Sequence, residues 1–391
     1  MSDTIHKVLY LHGGMQKTGS TSIQVTLAHT PTTPKYQFLY RQNGNSGFYL
    51  RKLFDPEFGG TGGLKSVAQR DQQAKAFAER VEAWLARPKP IYVMSSEMIA
   101  SAFGVEGLTR IRDWLAPHVD EIRPIFYIRE PYGYIESLFQ EQLKKRSPEF
   151  VSLRRMCPAY RSWFSAVEEV FGREQVIYRP FASDALVQGD AVQDFVSTLG
   201  LELPPEAITR KNEGLSRRGL SVVANVNRLS RTRTHGRDVE VSRWVTKLAM
   251  MLPGPKLRLS QELLSQACAH ASEDIAWMEE RLGRPLGHLG RKPASDAITQ
   301  LNQVLEVDDE TRRWAVSVLG VRADSPDIAR DMAEAVMQQA QDEDSPVMRN
   351  TRRHFDLKEE ARDPAAREAR RAARVTPDAA AGPDRKSTRL N

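Results

Sequence analysis

At 391 residues the chain is long enough for one large core or two ordinary ones. Apolar residues make up 40% and charged residues 27%, the balance of a protein folded in water, and no run of about eighteen apolar residues is present to cross a membrane. The formal net charge is +6, but residues 349–391 hold twelve basic and seven acidic side chains; the body is therefore near neutral, and a nucleic-acid partner is not indicated.

The opening residues, Met1 to Lys7, lack the apolar core of a secretory signal. Two cysteines, Cys157 and Cys268, cannot build a disulfide framework. Buried free thiols in a reducing cytoplasm are the expectation.

In chain order, Val8 to Leu11 reads as a buried strand. It runs into His12-Gly13-Gly14-Met15-Gln16-Lys17-Thr18-Gly19, and Ser20 to Leu27 reads as the start of a helix. Glycine lets the backbone turn sharply between the two without a Cβ penalty. Such a strand–loop–helix aims several N–H groups and the positive end of a helix dipole at one point. A phosphate-sized anion fits there, with the Lys17 ammonium as a further point charge.

Thr30 to Gly63 reads as an irregular region with a short helix at Tyr49 to Phe54, either a surface for an acceptor or a plain insertion. Val67 to Ala86 is an amphipathic helix, ended by Pro88 and Pro90; its Phe77 and Trp84, like Trp163 further on, read as core. Ile91 to Met94 is a strand followed at once by Ser95-Ser96-Glu97. Leu108 to Leu115 is a helix, Ile122 to Ile128 a strand closed by Arg129-Glu130-Pro131, and Tyr134 to Lys145 a helix. Tyr160 to Phe171 is a helix, Val176 to Tyr178 a short strand and Val192 to Leu199 a helix. Beyond about residue 205 only helical patterns remain: Ser216 to Leu229, Val241 to Met251, Gln261 to Leu282, Asp309 to Leu319 and Asp327 to Gln341.

Strands alternating with helices give an α/β fold: a central parallel sheet with helices on both faces, plus a C-terminal helical extension. The expected division is an α/β core over 1–205, an extension packed on it over 206–344, and a charged tail from 345 that is unstructured or a frayed helix. The last eight residues, 384–391, can be back-translated to a common sequencing-adapter sequence, so the reading frame is expected to run off there. Ligands on such sheets bind beyond the carboxyl ends of the strands. The glycine loop, Glu97 and Arg129 all lie just past strand ends, so one pocket can hold all three.

The loop departs from the nucleotide pattern G-x-x-x-x-G-K-[ST]: its lysine lies two residues before Gly19, and no acid closing a following strand is an evident magnesium holder. Instead it resembles the 5′-phosphosulfate loop of sulfotransferases that use 3′-phosphoadenosine-5′-phosphosulfate (PAPS), closest to the bacterial and carbohydrate-type branch. That loop reads H-x-G-x-x-K-T-G-[ST]-[ST]-[ST]-[IL]-Q, matched by His12, Gly14, Lys17, Thr18, Gly19, Ser20, Thr21, Ser22, Ile23 and Gln24. The proline common before the lysine is Gln16 here. A second element, strand-Arg-x-Pro…Ser, is similar to the family's 3′-phosphate site and is matched by Arg129, Pro131 and Ser137.

The resemblance implies a P-loop NTPase-like fold of sulfotransferase type and transfer of a sulfuryl group from PAPS, as co-substrate, to a hydroxyl acceptor. A sugar or polysaccharide is the acceptor expected from the branch, with no metal required. It assigns Glu97 as base and Lys17 as the group that stabilises the leaving phosphate. Gly14, Lys17, Thr18, Gly19, Ser20, Thr21, Ser22, Arg129 and Ser137 would hold PAPS. Arg210 and Lys211, in Arg210-Lys211-Asn212-Glu213-Gly214, stand where members carry a basic Gly-containing loop over the 3′-phosphate, although Asn-Glu interrupts the pattern. His12 reads as a structural partner of the loop. The rival readings are a P-loop kinase using ATP and magnesium, and a non-catalytic PAPS-binding interaction protein.

Overall fold

The computed structural model describes residues 5–362 except 32, 41, 43, 56, 60–65, 205–206, 210–213, 233–238, 291 and 343–344. Five strands, β1 (Val8–His12), β2 (Tyr36–Phe38), β3 (Ile91–Ser95), β4 (Glu121–Ile128) and β5 (Ile177–Pro180), form one sheet in the order β2-β3-β1-β4-β5. All four pairings are parallel. β1 is central, with His12 level with Ser95 on one side and Ile125 on the other.

Side chains alternate across the strands with the period of two that a pleated sheet requires. Leu9 and Leu11 of β1, Tyr92 and Met94 of β3, and Phe126 and Ile128 of β4 enter one apolar layer. Tyr10, Val93, Ile125 and Tyr127 enter the other. The second layer is closed by α1 (Ser20–His29) through Ile23 and Leu27 and by α8 (Ala191–Thr198) through Val192, Phe195 and Val196. The first layer is closed by α2 (Gly47–Phe54), α3 (Val67–Leu85), α4 (Ile99–Ala102), α5 (Gly104–Leu115), α6 (Pro131–Leu143) and α7 (Tyr160–Phe171). The fold is therefore α/β, with a parallel sheet covered on both faces.

Tyr36–Phe38 is an edge strand inside the stretch expected to be irregular. Its three residues are too few to set up an alternation that sequence can reveal.

The chain continues as α9 (Arg217–Thr232), α10 (Val239–Met250), α11 (Gln261–Cys268), α12 (Ser272–Leu282), α13 (Asp309–Leu319), α14 (Ile328–Gln341) and α15 (Pro346–Arg362). Leu220, Val223 and Val226 of α9 and Met332 and Val336 of α14 belong to the same apolar cluster as Leu9 and Leu11 of β1. Asn227 on α9 donates to the Leu143 carbonyl at 2.5 Å, and buried Glu136 on α6 accepts from the Leu259 amide at 2.9 Å. Met348 and Thr351 of α15 are fully buried, so packed structure runs past Asp344.

Two expectations are corrected. Gln261 to Leu282 is not one helix: it breaks at 269–271, where Ala271 leaves helical geometry. The break lets Asp274 in the first turn of α12 accept from the Tyr160 and Arg161 amides, each at 2.7 Å, capping α7. The cysteines are not free thiols. Cys157 and Cys268, 111 residues apart in sequence, are joined in a disulfide with Cα atoms 5.6 Å apart. The fold makes the pair by laying α11 against the turn at Leu153–Met156, a contact that sequence spacing does not encode.

Candidate anion-binding site

The site is built where β1 leaves the sheet. The loop keeps the pairing of β1 for three more residues: the Gly13 amide donates to the Ile125 carbonyl at 3.0 Å, the Met15 amide to the Tyr127 carbonyl at 3.2 Å, and the Tyr127 amide to the Gly14 carbonyl at 2.9 Å. A Cβ at Gly13 would run into the Phe126 ring, so only glycine permits this close approach. Thr18 is buried and its hydroxyl donates to the Met15 carbonyl at 2.5 Å, pinning the turn from inside. Its side chain is therefore spent on the loop, leaving its N–H as the group it could offer a ligand. Ser20 is buried, while Thr21 and Ser22 are half-buried.

Gly19 begins α1 with φ 80°, and no side chain caps the helix. The first N–H groups of a helix have no intrahelical partner. Here they sit beside Lys17, and acidic residues are absent from the first turn. Lys17 itself has φ 65°, the left-handed region that costs a residue with a Cβ about 1–2 kcal/mol.

Behind the loop, His12 is fully buried and shares a 2.8 Å hydrogen bond between Nδ1 and the Ser95 hydroxyl, which also accepts from Gln24 Nε2 at 3.0 Å. Burial pushes the imidazole pKa down to about 3, so the ring is neutral. This network ties β1, β3 and α1 together at the root of the turn.

Arg129 follows β4 directly. Its Nη1 donates to the Lys17 carbonyl at 2.7 Å, and its guanidinium lies 5.6 Å from the centre of the Phe181 ring. Its own carbonyl accepts from the Tyr160 hydroxyl at 2.6 Å. Of the neighbouring acids, Glu130 caps α6 through the Tyr132 and Gly133 amides, and Glu136 holds Leu259 and lies 3.4 Å from Arg258. Ser137 is half-buried on the second turn of α6, one turn before Glu141.

Glu97 stands two residues past β3. A Cβ on Gly14 would lie 3.4 Å from the Glu97 carbonyl oxygen, so the two backbones pack together. Burial pushes the Glu97 carboxyl above its usual value, and the positive charge of Lys17 works against that rise. Ser96, not Glu97, accepts from the Met98 amide at 3.3 Å, so the carboxylate is not used in the local turn.

One participant was missed by sequence reasoning. Lys17 Nζ lies 3.3 Å from Glu141 Oε2 on α6. The same carboxylate meets Lys144 at 3.2 Å and Lys145 at 3.5 Å. In sequence, Glu141 looks like one charge on a solvated helix face; the only signal was its i, i+4 spacing from Ser137.

The structure thus brings Gly14, Lys17, Thr18, Gly19, Ser20, Glu97 and Arg129 to one end of the sheet, with Ser137 on the adjoining helix. Arg210 and Lys211 lie outside the described residues. Phe77, Trp84 and Trp163 pack into the core, Phe77 stacked on Tyr49 at 5.0 Å. A cavity of about 590 Å³ between α9 and α14 is lined by none of these residues. Among the described residues no helix is long and apolar enough to cross a membrane. No protein-family model matches the chain, and no curated protein matches it.

Proposed function

We propose that the chain is a PAPS-dependent sulfotransferase of P-loop-like type, acting on a hydroxyl of a sugar or polysaccharide. The observation that carries the reading is the hydrogen bond from the Arg129 guanidinium to the Lys17 carbonyl. It supports a single cleft in which the glycine loop takes one phosphate and the Arg129–Ser137 element takes another. The residues fit such a donor: an uncapped helix start and an ammonium for the 5′ end, a planar fork and a hydroxyl for the 3′-phosphate.

When bound, the donor supplies an activated sulfuryl group, whose bond to the phosphate oxygen breaks as the acceptor oxygen bonds to sulfur. Glu97 takes the acceptor hydroxyl proton. Its raised pKa makes it a stronger base than an exposed glutamate. Lys17 faces the charge that builds on the departing phosphate oxygen. Arg129 and the N–H groups at the start of α1 fix the two phosphates, and thereby the line of attack.

Calorimetric titration with adenosine 3′,5′-bisphosphate, followed by transfer of labelled sulfate from PAPS over a panel of glycans, lipids and phenols, tests the reading. Micromolar bisphosphate binding and labelling of a glycan are expected. Binding of ATP–magnesium in place of the bisphosphate would overturn the proposal in favour of a kinase. Bisphosphate binding without transfer to any acceptor would leave a non-catalytic binder.

A further inference from the structure

Resting on that reading, we infer that Glu141 is a parking site for the Lys17 ammonium: it holds the ammonium in the empty protein and releases it when an anion enters the loop. Three observations combine. The Lys17 backbone, in a turn with φ 65°, is tied down at its carbonyl by Arg129, which leaves the side chain as the part with the most freedom. That side chain places its ammonium 3.3 Å from Glu141 Oε2 on α6. And Glu141 has two further cations, Lys144 at 3.2 Å and Lys145 at 3.5 Å, in the turn that ends its helix.

The third observation makes the device reversible. A half-buried carboxylate stripped of its only cation would resist losing it. Glu141 keeps two when Lys17 leaves, so the ammonium can pass to an anion without stranding a charge. Until then Glu141 competes with the ligand for Lys17. Glu141 is accordingly a positioning residue, acting through Lys17 and not on the reacting atoms.

The test is a binding cycle with two probes, adenosine 3′,5′-bisphosphate and inorganic sulfate, on the full chain. Glu141→Gln should bind both about twofold to fivefold tighter than the parent, the gain expected when a competing ion pair of this exposure is removed. Glu141→Ala should move in the same direction, and Glu141→Asp should return towards the parent. In a Lys17→Ala background the gain should vanish, a result that a merely structural role for Glu141 would not give. Thermal unfolding of each variant verifies that it is folded.

Unchanged or weaker binding by both folded Glu141 variants overturns the inference, as does a gain that survives Lys17→Ala. Bisphosphate binding without these changes removes the parking role and leaves the sulfotransferase reading standing. Sulfate binding that tightens in Glu141→Gln, with no bisphosphate binding, removes PAPS as donor and leaves the parking role standing. Binding of neither probe removes both.

Discussion

The guanidinium of Arg129 and the carbonyl of Lys17, 112 residues apart in sequence, are joined by a 2.7 Å hydrogen bond. The bond crosses from the end of β4 to the turn after β1, tying together the two groups proposed to hold the two phosphates. Replacing Arg129 by Ala should weaken adenosine 3′,5′-bisphosphate binding by about tenfold to a hundredfold, the usual value of a hydrogen bond to a charged group. Arg129→Lys should recover little, because a point charge does not replace a planar fork. Isothermal titration reads both.

Lys17→Ala should act on turnover more than on donor KM, since in the proposed mechanism its charge is needed most when the leaving oxygen becomes negative. A loss of about 3 kcal/mol, or a hundredfold to a thousandfold in kcat, is the scale for one such contact. Steady-state kinetics with saturating PAPS would show it.

Glu97 gives a pH signature of defined sign. In the proposed mechanism transfer needs the ionised carboxylate, and burial has raised the pKa, so activity should fall on acidification at a pH above the range of an ordinary glutamate. Glu97→Gln should abolish the transfer that this limb reports. The stability effect runs the other way. The folded state binds this proton more tightly than the unfolded chain does, so stability falls as pH rises from the unfolded pKa through the folded one. Relative to the parent, Glu97→Gln should therefore gain stability above that window and not below it, as read by urea unfolding across a pH series.

Reducing the Cys157–Cys268 bond, or replacing both residues by Ser, should lower unfolding stability. The bond closes a loop of 111 residues, for which chain entropy alone sets a ceiling of about 5 kcal/mol. Denaturant midpoints with and without a dithiol measure the loss.

Much of the α/β core is legible in the residues themselves. The strands β1, β3 and β4 are dense apolar runs, the glycine turn follows one of them at once, and α7 has both its ends where its apolar period starts and stops. What escaped notice is what depends on contacts across the fold. Tyr36–Phe38 pairs with β3 and buries both aromatic rings in the second apolar layer, but three residues are too short a pattern to read as a strand. Glu141 stands out because α6 brings it within 3.3 Å of Lys17, and no local spacing states which way a helix will face. Thr18 looked like a hydroxyl for a ligand, yet its side chain is taken by the Met15 carbonyl in a turn whose shape appears only when built. The disulfide depends on where α11 comes to rest.

That bond also bears on how the molecule can be divided. A chain ended near residue 205 would keep Cys157 without Cys268, the start of α7 without its Asp274 cap, and Glu136 buried without the Leu259 amide. Tyr160, whose hydroxyl holds the Arg129 carbonyl, sits in the turn that Asp274 caps. The sheet half is thus no detachable module: domain swaps, minimal fragments and fusions that discard the helical half would remove the contacts that support Arg129 before touching the glycine turn.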